Sequence, residues 1–153
     1  MTREYPTIPH LAVSTVVLNE KEILAVKRRN PPAENTWALP GGSVKLGETL
    51  FDAAIRETLE ETGVLVQPLR FLTAVDAIYH DEDGVVRFHY AIIYILAQYL
   101  QGQPSPRDDA LEARWLAIQD LHALPFEKNT LKIIEETAVT QGVSSPIIIP
   151  ARD

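Results

Sequence analysis

The sequence predicts an α+β fold, a mixed β-sheet with helices on both sides. Three observations carry this. Two β-rich runs open the chain, Leu11–Leu18 and Ile23–Lys27. One strongly signalled helix follows at Thr49–Thr62. Two stretches rich in β-branched and aromatic residues, Val64–Ile78 and Val85–Leu96, then precede two further helices, Ile118–Ala123 and about Asn129–Thr140. The order β-β-α-β-β-α-α suits a sheet covered on both faces.

Each element has a local reason. Asn19-Glu20-Lys21-Glu22 joins the first two runs as a hairpin. Pro31 and Pro32 make Arg28–Asn35 a loop. Trp37-Ala38-Leu39 is short and apolar and runs into Pro40-Gly41-Gly42. Thr49 is a good N-cap with Asp52 three residues on, a capping-box variant. Phe51, Ile55, Thr58, Leu59 and Thr62 fall on one helical stripe, and Gly63 follows as the C′ residue. Asp81-Glu82-Asp83-Gly84 is a strong turn. Gly102, Pro104 and Pro106 make Gln101–Asp109 a loop. Trp115–Leu116 reads as a short strand. The tail Ser144–Asp153, with Pro146-Ile147-Ile148-Ile149-Pro150, reads as an edge strand or a packed extension.

The 153 residues suit one domain, 1–153. With 46% hydrophobic and 23% charged residues, disordered and fibrous classes are excluded. Fourteen Lys and Arg against 21 Asp and Glu leave −7, which disfavours a nucleic-acid partner. It does not disfavour a small phosphorylated ligand held through metal ions. No Cys is present, so thiolate chemistry and Cys-zinc sites are out. The longest apolar run, Ala91–Ala97, falls far short of the roughly 20 residues that span a bilayer. Met1–Pro6 lacks the apolar stretch of a signal peptide, so a soluble cytoplasmic protein with no membrane partner is expected.

The chemistry concentrates on Arg56-Glu57-Thr58-Leu59-Glu60-Glu61-Thr62-Gly63. At about 100° per residue, Glu57, Glu60 and Glu61 share one face. The apolar stripe lies elsewhere, so these acids are not expected in the core. Ala53 and Ala54 precede Glu57 on the acid face and would leave room for a ligand. A solvated acidic face is the plain alternative, but like charges at these spacings repel. Glu60 and Glu61 also oppose the helix dipole, and Arg56 is the one basic residue between Thr49 and Gly63. Such a helix calls for an external cation. Hard oxygen donors without His or Cys point to Mg²⁺ or Mn²⁺. Pro40-Gly41-Gly42 lets the backbone approach a ligand, and the unit fits metal-assisted attack by water.

These residues resemble the Nudix hydrolases, whose signature is G-x5-E-x7-R-E-U-x-E-E-x-G-U with U aliphatic. Gly42, Glu48, Arg56, Glu57, Glu60, Glu61 and Gly63 match at every charged and glycine position, and Thr58 departs at the first U. Trp37–Gly42 is similar to the family's lead-in. Asp81–Gly84, Arg87-Phe88-His89-Tyr90 and Glu112–Trp115 are similar to the ADP-ribose pyrophosphatase branch. The resemblance implies an α/β/α sandwich and hydrolysis of a nucleoside diphosphate linked to another moiety, a small-molecule nucleotide. It implies Glu57, Glu60 and Glu61 as metal ligands, with the Gly41 carbonyl as another. Glu57 or a loop acid would handle the water, Arg56 would hold a glutamate, and Glu48 would support the loop.

Catalytic candidates are thus Glu57, Glu61, Arg56 and, from the loop region, Glu112, with Asp108 and Asp109 behind it. Arg28, Arg29 and Gly42 are the substrate-binding candidates. His89 reads as a sheet residue; Trp37, Tyr79 and Phe88 read as core before base-stacking groups. Removal of modified nucleoside triphosphates would use the same helix. A non-catalytic nucleotide sensor would be expected to lose the glutamates that are kept here. The N-terminal strand and the apolar tail could both serve a homodimer.

Overall fold

β-Branched residues run through the sheet strands of the computed structural model, which describes residues 3–141. The tail, including Pro146–Pro150, lies outside the described residues. The strands are β1 (His10–Asn19), β2 (Glu22–Arg28), β3 (Trp37–Ala38), β4 (Gly41–Ser43), β5 (Leu65–His80), β6 (Val86–Gln101) and β7 (Ala110–Ala117). The helices are α1 (Leu50–Thr62), a 3-10 helix at Ile118–Ala123, and α2 (Lys128–Thr140). The sheet runs β3-β2-β1-β6-β5, with β4 also on β1 and β7 also on β2. It is mixed: β1 and β6 are parallel, and the other pairs are antiparallel.

Both faces are covered. Along β1, Val16 packs with Leu121, Leu131 and Ile134 of the 3-10 helix and α2. Val13 packs on the opposite face with Ala53 and Ala54 of α1. Ile95 follows Val13, and its neighbour Leu96 follows Val16, as strand alternation requires.

The site depends on how β1 and β2 part. They pair only at their hairpin end, Leu18 with Ile23 and Asn19 with Glu22. Further along, β3 pairs with β2 while β4, three residues later, pairs with Ala12–Ser14 of β1. Pro40-Gly41-Gly42, read from the sequence only as backbone that approaches a ligand, is therefore partly strand. Gly41 is required there: a Cβ would sit 2.1 Å from the Val13 carbonyl oxygen.

Several expectations change. β7 begins at Ala110 because it pairs along the whole of β2, not merely at Trp115–Leu116. Ile118–Ala123 is a 3-10 helix. β1 lies inside the sheet and offers no free edge to a second copy; β5 has only β6 beside it among the described residues. No helix among the described residues is long and apolar enough to cross a membrane.

Candidate active site

Helix α1 starts where expected. The Asp52 amide donates to the Thr49 hydroxyl at 3.1 Å, and Gly63 ends the helix at φ 77°, its amide donating to the Leu59 carbonyl. The buried arc, however, is rotated from the expected stripe. Ala53, Ala54, Thr58 and Thr62 are buried, while Leu59 is 41% exposed. Ala53 and Ala54 are fully buried against Val13 and Ile95, so they bring α1 close to the sheet and leave no room for a ligand. That arc includes Glu57 and Glu61, which turn toward β4.

Two outward-facing groups of β4 bind α1. The Gly41 amide donates to Glu61 Oε1 at 3.2 Å, and the Ser43 carbonyl accepts from Arg56 Nη2 at 3.0 Å. Gly42 lies so close to Glu57 that a Cβ there would come within 2.5 Å of its carboxylate. The glycines thus let the carboxylates rest against bare backbone.

Arg56 uses its whole guanidinium fork. Nε and Nη2 clasp Glu48 at 2.6 and 2.9 Å; Nη1 reaches Glu57 at 2.8 Å and Glu60 at 3.1 Å. This contact holds the Glu48 carboxyl at about 2. Glu48 also accepts from the Lys45 amide, tying the loop to the helix. Arg107 supplies the cation missing from the last turn of α1, its guanidinium lying against Gly63. Its amide donates to the Glu61 carbonyl at 3.0 Å. The acidic face is therefore partly compensated from within, and what remains is narrower than three acids.

The remainder is Glu61. Burial pushes its carboxyl up to about 8, against the Gly41 hydrogen bond, which lowers it; Glu57 raises it further. Glu57 is also raised by burial despite Arg56. Burial is thus the main cause in both, and a neighbouring acid raises each further.

The two carboxylates line an open cleft of about 1200 Å³. Arg28, Arg29, Gly41, Gly42, Asp108 and Asp109 line it too, and Trp37, Tyr79 and Phe88 form part of its wall. Arg28 Nε is buried with no hydrogen-bond partner among the described residues. Asp108 sits at φ 52°, and its charge reaches both Glu57 and Glu61. Arg56, Glu60, Glu112 and His89 are not brought into the lining. Glu112 stands opposite Lys27 on β7 and pairs with Lys27 at 3.7 Å and with Arg114. Among the described residues no group of three His, Cys, Asp or Glu side chains is arranged to hold a metal ion. The donor set still fits Mg²⁺, which takes one or two carboxylates plus phosphate oxygens and keeps several waters.

Sequence reasoning missed residues 3–4, which also line the cleft, and Tyr90. Alternation could have found Tyr90, because Phe88, Tyr90, Ile92 and Tyr94 share a face of β6 and all reach the cleft.

A model of the NUDIX domain family matches residues 8–137. The chain is 34% identical over 128 residues to a Methanocaldococcus jannaschii ADP-ribose pyrophosphatase, covering 84% of this chain and 72% of that protein. It is 34% identical over 113 residues to phosphatase NudJ of Escherichia coli K12, covering 74% and 71%. Among solved structures, the MutT NUDIX hydrolase of Burkholderia pseudomallei superposes with a TM-score of 0.72 at 27% identity, over 84% of this chain and 97% of that one.

Proposed function

The chain belongs to the NUDIX domain family as a pyrophosphohydrolase, and from that premise we propose that it cleaves nucleoside diphosphates linked to a sugar, ADP-ribose first. One observation supports a phosphate-bearing substrate. The buried Arg28 Nε, without a hydrogen-bond partner among the described residues, shares a cleft with the Glu57–Glu61 pair, which leaves a guanidinium donor for a phosphate there. The resemblance to an ADP-ribose pyrophosphatase supports the same choice.

In this reading Glu57 and Glu61 would hold a divalent cation, Mg²⁺ or Mn²⁺, with the Gly41 carbonyl, and Glu60, bonded to Arg56 outside the cleft lining, would join them only by turning inward. Bound there, the cation would supply charge that neutralises the phosphates and lowers the pKa of water. Arg28 and Arg29 hold the diphosphate, and Gly42 leaves the space they share open. Water attacks one phosphorus, the bridging P–O bond breaks, and the water's proton passes to Glu57 or the loop acid Asp108. Arg56 keeps Glu57 in position through the Glu48 clasp. Residues 1–153 act as one domain.

The test compares ADP-ribose with 8-oxo-dGTP in Mg²⁺. AMP and ribose 5-phosphate should form with a kcat/KM at least about tenfold above that of the triphosphate, a difference of about 1.4 kcal/mol in barrier. The reverse preference would move the substrate to modified triphosphates.

A further inference from the structure

The first described residues fold back over one end of the cleft. Tyr5 has φ 52°, in the left-handed region that a bulky side chain rarely occupies. Such a conformation is strained and persists where its surroundings over-determine it. Three contacts do so. The Tyr5 amide donates to the Arg87 carbonyl at 2.8 Å, and its phenol donates to Asp81 Oδ2 at 3.0 Å. Arg87 Nε then donates to Glu4 Oε2 at 3.0 Å. Asp81 is itself fixed by accepting from the Asp83 and Val85 amides in the β5–β6 turn.

This clasp lays Arg3 and Glu4 along the cleft, which Tyr79, Phe88 and Tyr90 also line. Strand register orders the groups along the cleft: Ser14 of β1 pairs with Gly41, which holds Glu61, and with Tyr94 of β6. The clasp holds residues 4 and 5 at Arg87, further back along β6 than Tyr90, so Arg3 lies toward the end of the cleft away from the Glu57–Glu61 pair, with Tyr90 between. At about 1200 Å³ the cleft exceeds the roughly 300–1,000 Å³ typical of a small-molecule site, which leaves room beyond the diphosphate.

We propose that Arg3 is a specificity-determining residue that grips the sugar beyond the diphosphate, and that Arg87 and Asp81 are positioning residues that clasp residues 3–5 in place. A planar guanidinium presents parallel donors that match neighbouring sugar oxygens, and the adjacent Tyr90 offers a ring face with a hydroxyl at its edge. The assignment rests on the diphosphate-sugar reading above. It adds a residue from outside the family signature and an order of groups along the cleft.

The test uses the full chain with Arg3→Ala and with Arg87→Ala, which opens the clasp from outside the cleft. Each is assayed on ADP-ribose and on ADP, which lacks the distal sugar. Calorimetric binding of both compounds in EDTA gives a readout that needs no turnover. Arg3→Ala should raise KM and Kd for ADP-ribose about tenfold, the loss expected for one charge-assisted hydrogen bond, with kcat within about twofold. Arg87→Ala should move the same constants in the same direction by a smaller factor. Neither should alter ADP binding. Unchanged ADP-ribose constants in both well-folded variants would overturn the proposal. An equal loss for ADP would place Arg3 on the diphosphate and overturn it too. If the wild type bound ADP-ribose but did not hydrolyse it, the reaction would be wrong, and the binding comparison would still decide the role of Arg3.

Discussion

The Gly41 amide donates to Glu61 Oε1 at 3.2 Å, joining the strand that carries the signature's first glycine, Gly42, to the helix that carries Glu57, Glu60 and Glu61. That single hydrogen bond favours the ionised carboxyl but does not offset burial, and Glu61 stays up at about 8. The unfolded carboxyl titrates near 4.5. Between these values the folded metal-free protein holds a proton that the unfolded chain has released. Its stability therefore falls as pH rises through that window. Glu48 acts in the opposite sense: held at about 2, it contributes stability above 4.5 that is lost as pH falls toward 2. In EDTA the melting temperature should peak near pH ~5 and drop by several degrees toward pH ~8. Saturating Mg²⁺ should flatten or reverse that drop, since a cation needs the carboxylate form. A melting temperature that climbs steadily to pH 8 in EDTA would contradict the buried, protonated Glu61.

Glu61→Gln separates a metal ligand from a surface acid. Gln keeps the shape and helix propensity but removes the charge. Turnover in saturating Mg²⁺ should fall by at least about a hundredfold, while the metal-free protein should melt no lower. Glu60→Gln should cost much less, because Glu60 is 42% exposed and bonded to Arg56 outside the cleft lining. Equal losses in the two variants would mean that Glu60 swings in to share the cation fully.

Arg56→Lys tests the clasp. A lysine offers one ammonium where the guanidinium now serves Glu48, Glu57, Glu60 and the Ser43 carbonyl. Losing two or more of these charge-assisted contacts should lower the melting temperature by about 3–8 °C. kcat should fall more than KM rises, because Arg56 touches Glu57 and not the cleft. Wild-type melting and turnover would show the fork to be dispensable.

The acids and their helix were legible because one continuous segment carries them, with its caps and spacing intact. The rotation of that helix was not. Leu59 looks like core and Ala53 like open space until the close approach of α1 to Val13 and Ile95 selects small residues for the buried arc. Strand β4 was hidden because glycines argue against a strand, and only Val13 and Glu57 pressing on either side explain them. Asp108 reaches the acids where Glu112 does not, because β7 extends to Ala110 and turns Glu112 toward Lys27. The clasp at Tyr5 joins residues 76 and 83 positions apart in sequence, a separation over which local pattern carries no information.

Thr58, where the signature expects an aliphatic residue, is fully buried and its hydroxyl has no hydrogen-bond partner among the described residues. Thr15 of β1 is in the same condition. Replacing such a hydroxyl by a methyl of the same shape removes a desolvation cost. Thr58→Val should raise the melting temperature by about 2–4 °C, roughly 1 kcal/mol, and leave kcat within twofold. A lower melting temperature would indicate that the hydroxyl is satisfied, by a buried water for example.

The two glycines of β4 should fail in different ways, although they are neighbours. A Cβ on Gly41 would meet the Val13 carbonyl oxygen at 2.1 Å, a backbone atom in the paired strand β1. Relief requires β4 to part from β1, so Gly41→Ala should lower the melting temperature and, with it, activity. A Cβ on Gly42 would meet the Glu57 carboxylate at 2.5 Å. That group is the end of a flexible side chain, and it can swing away without moving the backbone. Swinging away gives up the 2.8 Å contact with Arg56 Nη1, but Arg56 keeps Glu48, Glu60 and the Ser43 carbonyl, so the clasp between loop, strand and helix survives. Gly42→Ala should therefore melt within about 2 °C of the wild type, yet lose at least about tenfold in kcat, because Glu57 no longer stands beside Glu61. The measurement is a paired melt and Mg²⁺ titration of both variants. If Gly42→Ala were the less stable and the more active of the two, the closeness of Gly42 to Glu57 would be a packing matter, and Glu57 would have no part in the chemistry.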